Sequence, residues 1–397
     1  LEVIQPSIRK TGAAIVESGN RWLGSWFASQ TYYDARFAID TFDNQTIRMI
    51  VHPHSAGSTI RLKLSNLYGS EQVLFGSVNV ALSIKDGHTV PGSNRHVTID
   101  GKATIIIPAG QEIYTDPVDL NVSGAVDVAI SIYVPKPTKT STWHFSPPQS
   151  TYIADGDHAS DSSADFFKQK THSCYWISGM EVLSQEWNSR VIVALGDSIT
   201  EGSTSTSNAN HRWPDFFYDR LVQEWSDRGI SVLNSGIVGN QILKSGPDVG
   251  LPVAGEHVLS RLDRDVFSHP GITDMIFFEG INDIGSGDAT ADQIVAGMTE
   301  VAIVAKRKGV RIYIGTLTPF GKAEYYSEEK ERVRREVNQW IRTQHVFDGM
   351  LDFDKALANP EAPNELLPAY DFGDHLHLSD EGYKALADSI PLSLFEG

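Results

Sequence analysis

The chain has 397 residues, 41% hydrophobic and 21% charged, which is the composition of a soluble globular protein long enough for two domains and a substantial core. Its 33 Lys and Arg against 50 Asp and Glu give a formal charge of −17, which opposes a nucleic-acid partner or an anionic membrane surface, and no apolar run is long enough to insert in a bilayer. A single cysteine, Cys174, excludes an intrachain disulfide and a cysteine-based zinc site.

The first half reads as β-rich, and residues 1–186 are expected to form a β-sandwich or jelly-roll domain. Ser58 to Ser65 alternates Ile60, Leu62 and Leu64 with Arg61 and Lys63, and Val126 to Val134 alternates in the same way, the period of half-buried antiparallel strands. Thr46 to Val51, Val73 to Ile84, Val97 to Ile107 and Cys174 to Leu183 are further candidate strands. Turn signals at Ser65-Asn66, Asp86-Gly87, Pro91-Gly92, Pro108-Ala109-Gly110 and Pro147-Pro148 separate them. The Asp- and Ser-rich stretch Ala154 to Lys170 reads as a long exposed loop, because β-like sequence resumes after it. Trp22, Trp26, Trp143 and Trp176 could stack on sugar rings, but core packing is the more ordinary fate of tryptophan in a sandwich. Leu1 in place of Met and the sequons Asn44-Gln45-Thr46 and Asn121-Val122-Ser123 give the expectation of a secreted protein.

From residue 187 the pattern changes to strands alternating with helices, so 187–397 is expected to be a three-layer α/β/α domain around a mainly parallel sheet. Strands are expected at Val191 to Leu195, Ile230 to Asn234, Asp274 to Phe278, Arg311 to Thr316 and Gly349 to Phe353. Helices are expected at Pro214 to Ser226, Val258 to Phe267, Ala291 to Lys308, Ser327 to Thr343 and Asp380 to Ile390, the last two capped by Ser327 and Ser379. At the end of the first strand, Gly196-Asp197 turns the chain and presents Ser198, where open α/β sheets place their ligands.

Three more short blocks follow: Asn234-Ser235-Gly236-Ile237-Val238-Gly239-Asn240, Gly280-Ile281-Asn282-Asp283 and Asp374-His375-Leu376-His377. With Gly196-Asp197-Ser198 they resemble, in order and placement, the four characteristic blocks of the SGNH, or GDSL-type, esterase and acylhydrolase superfamily, whose catalytic domain is flavodoxin-like. Arg61 to Gly69, Pro108-Ala109-Gly110 and Asp116-Pro117-Val118 resemble the β domain of a two-domain, xylan-esterase-like subgroup. The resemblance implies Ser198 as nucleophile, His377 as base and Asp374 as the residue that orients it. It also implies an oxyanion hole from the Ser198 and Gly239 amides and the Asn282 side chain.

The residue types suit that chemistry. A serine hydroxyl needs a neighbouring base, an imidazole needs an oriented tautomer, and a developing oxyanion needs fixed donors. His375 does not match the block's histidine and is expected to be a neighbour or a substrate-side residue, while Asp197 and Asp283 are expected to brace loops. No metal and no organic cofactor is expected, since no HExxH or comparable signature occurs. Nor does a G-x-S-x-G elbow surround Ser198. The expected partner is a small-molecule or polysaccharide ester, split with an acid limb where imidazoles ordinarily protonate, about pH 6 to 7. The polar run Ser203 to His211 favours short acyl, above all acetyl, esters of plant polysaccharide. A lipase, lysophospholipase or thioesterase of the same superfamily, or an inactive carbohydrate-binding protein, is the alternative. The oligomeric state is open, with a monomer the simplest expectation.

Overall fold

A computed structural model describes residues 20–396 apart from 146, 147, 187 and 227. Leu1 and Pro147, used above as sequence signals, lie outside the described residues.

The first half builds two main antiparallel sheets. One joins Arg21–Phe27, Ile177–Ser184 and Gly57–Ser65, the last pairing with both Glu112–Tyr114 and Val118–Val122. The other runs Gln169–Thr171, Thr151–Asp155, Gln45–Val51, Val128–Val134, Ser77–Leu82 and Arg95–His96. The alternation read from sequence sets the core: Ile60, Leu62 and Leu64 of the first sheet share one apolar cluster with Ile47, Met49, Ile130 and Ile132 of the second. Trp143 and Trp176 are wholly buried in it, and Trp22 lies under the Arg61 guanidinium, 4.3 Å from its ring centre.

Four expected elements are corrected by local chemistry. Val97 to Ile107 is a strand only at Ile105–Ile107, because Asp100-Gly101 turns the chain with positive φ and the Asp116 carboxylate holds the Asp100 and Gly101 amides. The Val73 to Ile84 run divides at Gly76, where a Cβ would stand 2.7 Å from the Tyr133 ring. Cys174 to Leu183 is interrupted at Trp176, which takes φ 54°. The stretch expected as an exposed loop is flanked by strand at Thr151–Asp155 and Gln169–Thr171, and its middle folds back over the sheet. There the Asp161 and His158 carbonyls accept from the buried Arg48.

The second half is a five-stranded parallel sheet ordered Ile230–Gly236, Arg190–Gly196, Ile272–Phe278, Arg311–Gly315, Gly349–Leu351. The last strand stops short of its expected end because Asp352 caps a new helix, Phe353–Leu357. Val193, Leu195, Met275 and Phe277 face one layer with helix Ala291–Arg307. Ile192, Ala194, Ile276 and Phe278 face the other with Trp213–Glu224 and Asp380–Asp388. Helix Val258–Leu262 widens into a π-helical turn, Asp263–Phe267. The caps behave as the sequence indicates, Ser327 accepting from the Lys330 amide and Ser379 from the Gly382 amide.

The two halves share a core. The edge of the parallel sheet, Ile230–Gly236, lies against Arg21–Phe27, and a Cβ on Gly24 would stand 2.8 Å from Leu233. Outward carbonyls of that edge strand are capped from the β half: Ser55 Oγ donates to Ile230 O at 3.1 Å, and His54 Nδ1 lies 2.6 Å from Val232 O. An edge that would otherwise offer itself to another strand is thereby closed.

Candidate active site

In the parallel sheet Gly196 stands in register with Gly236 on one side and Phe278 on the other. The chain therefore leaves three neighbouring strands at one end of the sheet, and the segments that follow, from Ser198, Ile237 and Gly280, collect there. The order of the strands makes this the point where successive connections part in opposite directions, which is where such sheets open a crevice.

Ser198 heads the short helix Ser198–Glu201. Asp197 caps it, accepting the Ile199 amide at 2.9 Å, so this aspartate is committed to the turn. Ser198 Oγ lies 2.8 Å from His377 Nε2, and His377 Nδ1 lies 2.6 Å from Asp374 Oδ2. The other Asp374 oxygen accepts the Leu376 and His377 amides at 3.0 and 2.8 Å. Burial works against the charge on Asp374, but the hydrogen bonds from the His377 ring and backbone prevail and hold its carboxyl far below the ordinary range. A fixed carboxylate on Nδ1 selects the tautomer whose Nε2 accepts, which is what a base for the serine proton requires. His375 turns away to Asp371, 2.6 Å from Nδ1, as expected of a neighbour.

Gly239 has φ 76°, a backbone state that a Cβ would strain. The loop carrying it is tied to the next block by Asp283, whose two oxygens accept the Ile242 and Leu243 amides at 2.9 and 3.0 Å. Asn282 Nδ2 donates to Asn240 O at 3.1 Å, which uses one of the two amide hydrogens. Asn234 pins the serine-bearing turn from below: its Nδ2 donates to Thr200 O at 2.7 Å while its Oδ1 accepts from Gly236 N.

The largest element that sequence reading missed is Arg261. Fully buried, it donates to Gly196 O at 3.1 Å, Ser235 O at 2.8 Å and Asn240 Oδ1 at 3.0 Å, and pairs with Asp265 at 3.2 Å. One guanidinium thus joins the strand end before Ser198 to both ends of the Gly239 loop, using the planar fork that lysine lacks. Beside it lie the buried carboxyls Asp197 and Glu279, with Asp283 next to them. Burial raises Asp197 to about 6, Asp283 to about 7 and Glu279 well above the ordinary range. The sequence around Arg261 shows only an i,i+4 spacing to Asp265, which is ordinary on a solvated helix face, and its remaining partners are distant in the chain.

The β half also reaches this end of the sheet. Ser29 Oγ is 3.4 Å from Arg261, the Val253 amide donates to Asp34, and Tyr68 bonds Glu256 and Arg264 beside the Gly239 loop. The polar run after Ser198 is largely engaged. Thr206 N and His211 bond Asp380, Asn208 bonds Ser150, and Asn210 bonds Asp127.

Comparison with known proteins bears on the second half. Residues 194–385 match the GDSL-like lipase/acylhydrolase family. No curated protein matches the chain. Among solved structures it is similar to a member of the lipolytic protein G-D-S-L family from Veillonella parvula, at 19% identity and a TM-score of 0.37 over 51% of this chain and 96% of that one. It is similar also to an acetyl xylan esterase, at 19% and 0.37 over 50% and 96%. A third is a mutant acetyl-xylooligosaccharide esterase from Geobacillus Stearmophilus, at 19% and 0.37 over 53% and 94%.

Proposed function

Since residues 194–385 belong to the GDSL-like lipase/acylhydrolase family, we propose that the chain is a serine ester hydrolase in which Ser198 attacks the acyl carbon, His377 takes the serine proton and Asp374 holds the imidazolium. The observation that carries this reading is the unbroken series Ser198 Oγ, His377 and Asp374, with contacts of 2.8 and 2.6 Å. As the ester carbonyl becomes tetrahedral, the Ser198 and Gly239 amides and the remaining Asn282 amide hydrogen receive its oxygen. One such donor is worth roughly 2.7 to 4 kcal/mol in a preorganised site. The imidazolium then protonates the departing alcohol, and a water deprotonated by His377 releases the acid from Ser198.

The substrate in this reading is a short acyl ester, acetyl above all, on a hydrophilic alcohol such as plant polysaccharide. Two features support it. Among the described residues, the large apolar side chains exposed in the second half are Val249 and Phe372, too few for the apolar rim that a long acyl chain would need. The segment after the nucleophile is polar and tied down rather than an apolar lid.

Hydrolysis of p-nitrophenyl acetate, butyrate and octanoate, beside acetate release from acetylated xylan, tests the proposal. The expected result is fastest turnover of acetate and measurable acetate release from the polymer. Preference for octanoate would favour a lipase of the same family and overturn the acetyl assignment.

A further inference from the structure

We propose a divalent-cation site of the zinc class between the two halves, held by His52, His54 and Asp215 and distinct from the ester-hydrolysing centre. His52 and His54 follow strand Gln45–Val51 in the β half, and Asp215 lies in the first turn of helix Trp213–Glu224. One potential ligand atom from each falls within 4.8 Å of the others. Neutral imidazoles and a carboxylate are the donors that zinc takes.

Three observations favour a bound cation over a plain ion pair. First, each histidine is anchored through Nδ1. His52 Nδ1 is 2.6 Å from Asp127 Oδ1, and His54 Nδ1 is 2.6 Å from Val232 O. At His54 a carbonyl that can only accept fixes the tautomer and leaves the lone pair on Nε2, the arrangement that metal-ligating histidines show, while His52 Nδ1 faces both the Asp127 carboxylate and the Asn210 amide nitrogen, 2.9 Å away. Second, His54 Nε2 is buried and lacks a hydrogen-bond partner, although Asp215 Oδ1 is only 3.2 Å away. A separation of about 3.3 Å is the edge of a tetrahedron with ligand bonds of about 2.0 Å. Third, the roles of the two Asp215 oxygens are divided: Oδ2 takes the Arg212 amide at 3.1 Å and lies 3.5 Å from its guanidinium, so Oδ1 is the oxygen on the histidine side.

There is room as well. The same residues line an interdomain cavity of about 40 Å³, enough for an ion with a water in the fourth position. Across that cavity His144 repeats the pattern, its Nδ1 held 2.7 Å from Ser29 O and its Nε2 3.8 Å from Glu201. A cation here clamps the β half to the helix packed behind the serine-bearing strand. Sequence reading, which expected no metal, had no spacing to find, since the ligands come from positions 52, 54 and 215.

The test starts from chelator-stripped full-length protein. Zinc chloride is titrated by calorimetry with metal content measured afterwards, and cobalt chloride is added separately to read the visible d–d absorption of a tetrahedral site. The proposal expects one zinc per chain, a tetrahedral cobalt spectrum and a rise of a few degrees in Tm on loading. It expects uptake to be lost in His54→Gln and Asp215→Asn. Should both variants fail to fold, His52→Gln, at the partly exposed ligand, replaces them, and undiminished uptake by that folded variant would overturn the site. Absence of uptake by the wild type would overturn the site. So would undiminished uptake in folded His54→Gln, which would show that the metal sits elsewhere.

Discussion

The mouth of the active site and its floor are built on opposite plans. At the mouth, His377 and Asp374 are three residues apart on one loop, and the Asp374 carboxylate holds both the ring and the backbone of that loop. In the floor, Arg261 gathers Gly196, the two ends of the Gly239 loop at Ser235 and Asn240, and Asp265 of its own helix, with the buried carboxyls Asp197, Glu279 and Asp283 nearby. Chemistry that needs one proton relay can be carried in a tetrad. Rigidity that must hold three loops in register is assembled only by the folded chain.

Four substitutions separate these plans, beginning with the mouth. Ser198→Ala removes the proposed nucleophile and should lower kcat on p-nitrophenyl acetate by about 10⁴- to 10⁶-fold with an unchanged circular dichroism spectrum. Near-normal turnover by the folded variant would dismantle the proposed mechanism. Asp374→Asn leaves the ring in place but favours the wrong tautomer, and a kcat loss of about 10²- to 10⁴-fold is expected with KM little altered. A change confined to KM would mean that Asp374 acts in binding instead.

The floor should respond more gently. Arg261→Lys keeps a charge but cannot make the same fork of contacts, so the Gly239 loop shifts and kcat falls by about 10- to 100-fold. Steady-state kinetics would show this as a kcat effect; wild-type kcat in the lysine variant would deny Arg261 a positioning role. Glu279→Gln is expected to leave kcat nearly unchanged and to act instead on the pH dependence of stability. Because burial raises the Glu279 pKa, the folded chain keeps a proton that the unfolded chain has released. Its contribution to stability therefore falls as pH rises from the ordinary glutamate range, about 4.3, towards the folded value, by about 1.4 kcal/mol for each pH step of one between them. Urea unfolding at pH 5 and pH 8 should show the glutamine variant gaining on the wild type at the higher pH. A constant difference between the two would contradict the assignment.

This contrast also explains what could be read before folding. The parallel strands were legible because burial on both faces leaves continuous apolar runs such as Val191 to Leu195, and the helices because Ser327 and Ser379 announce their starts. Ser198, Asp374 and His377 were legible as residue types in short blocks, and the structure brings them into contact. Strand limits in the β half were less so, since Asp100-Gly101 and Gly76 break runs whose hydrophobic pattern continues through them. Arg261, and the meeting of His54 with Asp215, left no trace. A charged residue in a helix looks solvated until the structure shows what buries it.

The most direct test of the central claim is covalent. Incubation of the wild type with a fluorophosphonate, followed by intact mass and peptide mapping, should show one adduct, on Ser198, appearing in step with loss of esterase activity. Full labelling of another residue, or ester hydrolysis that persists after Ser198 is blocked, would contradict the account.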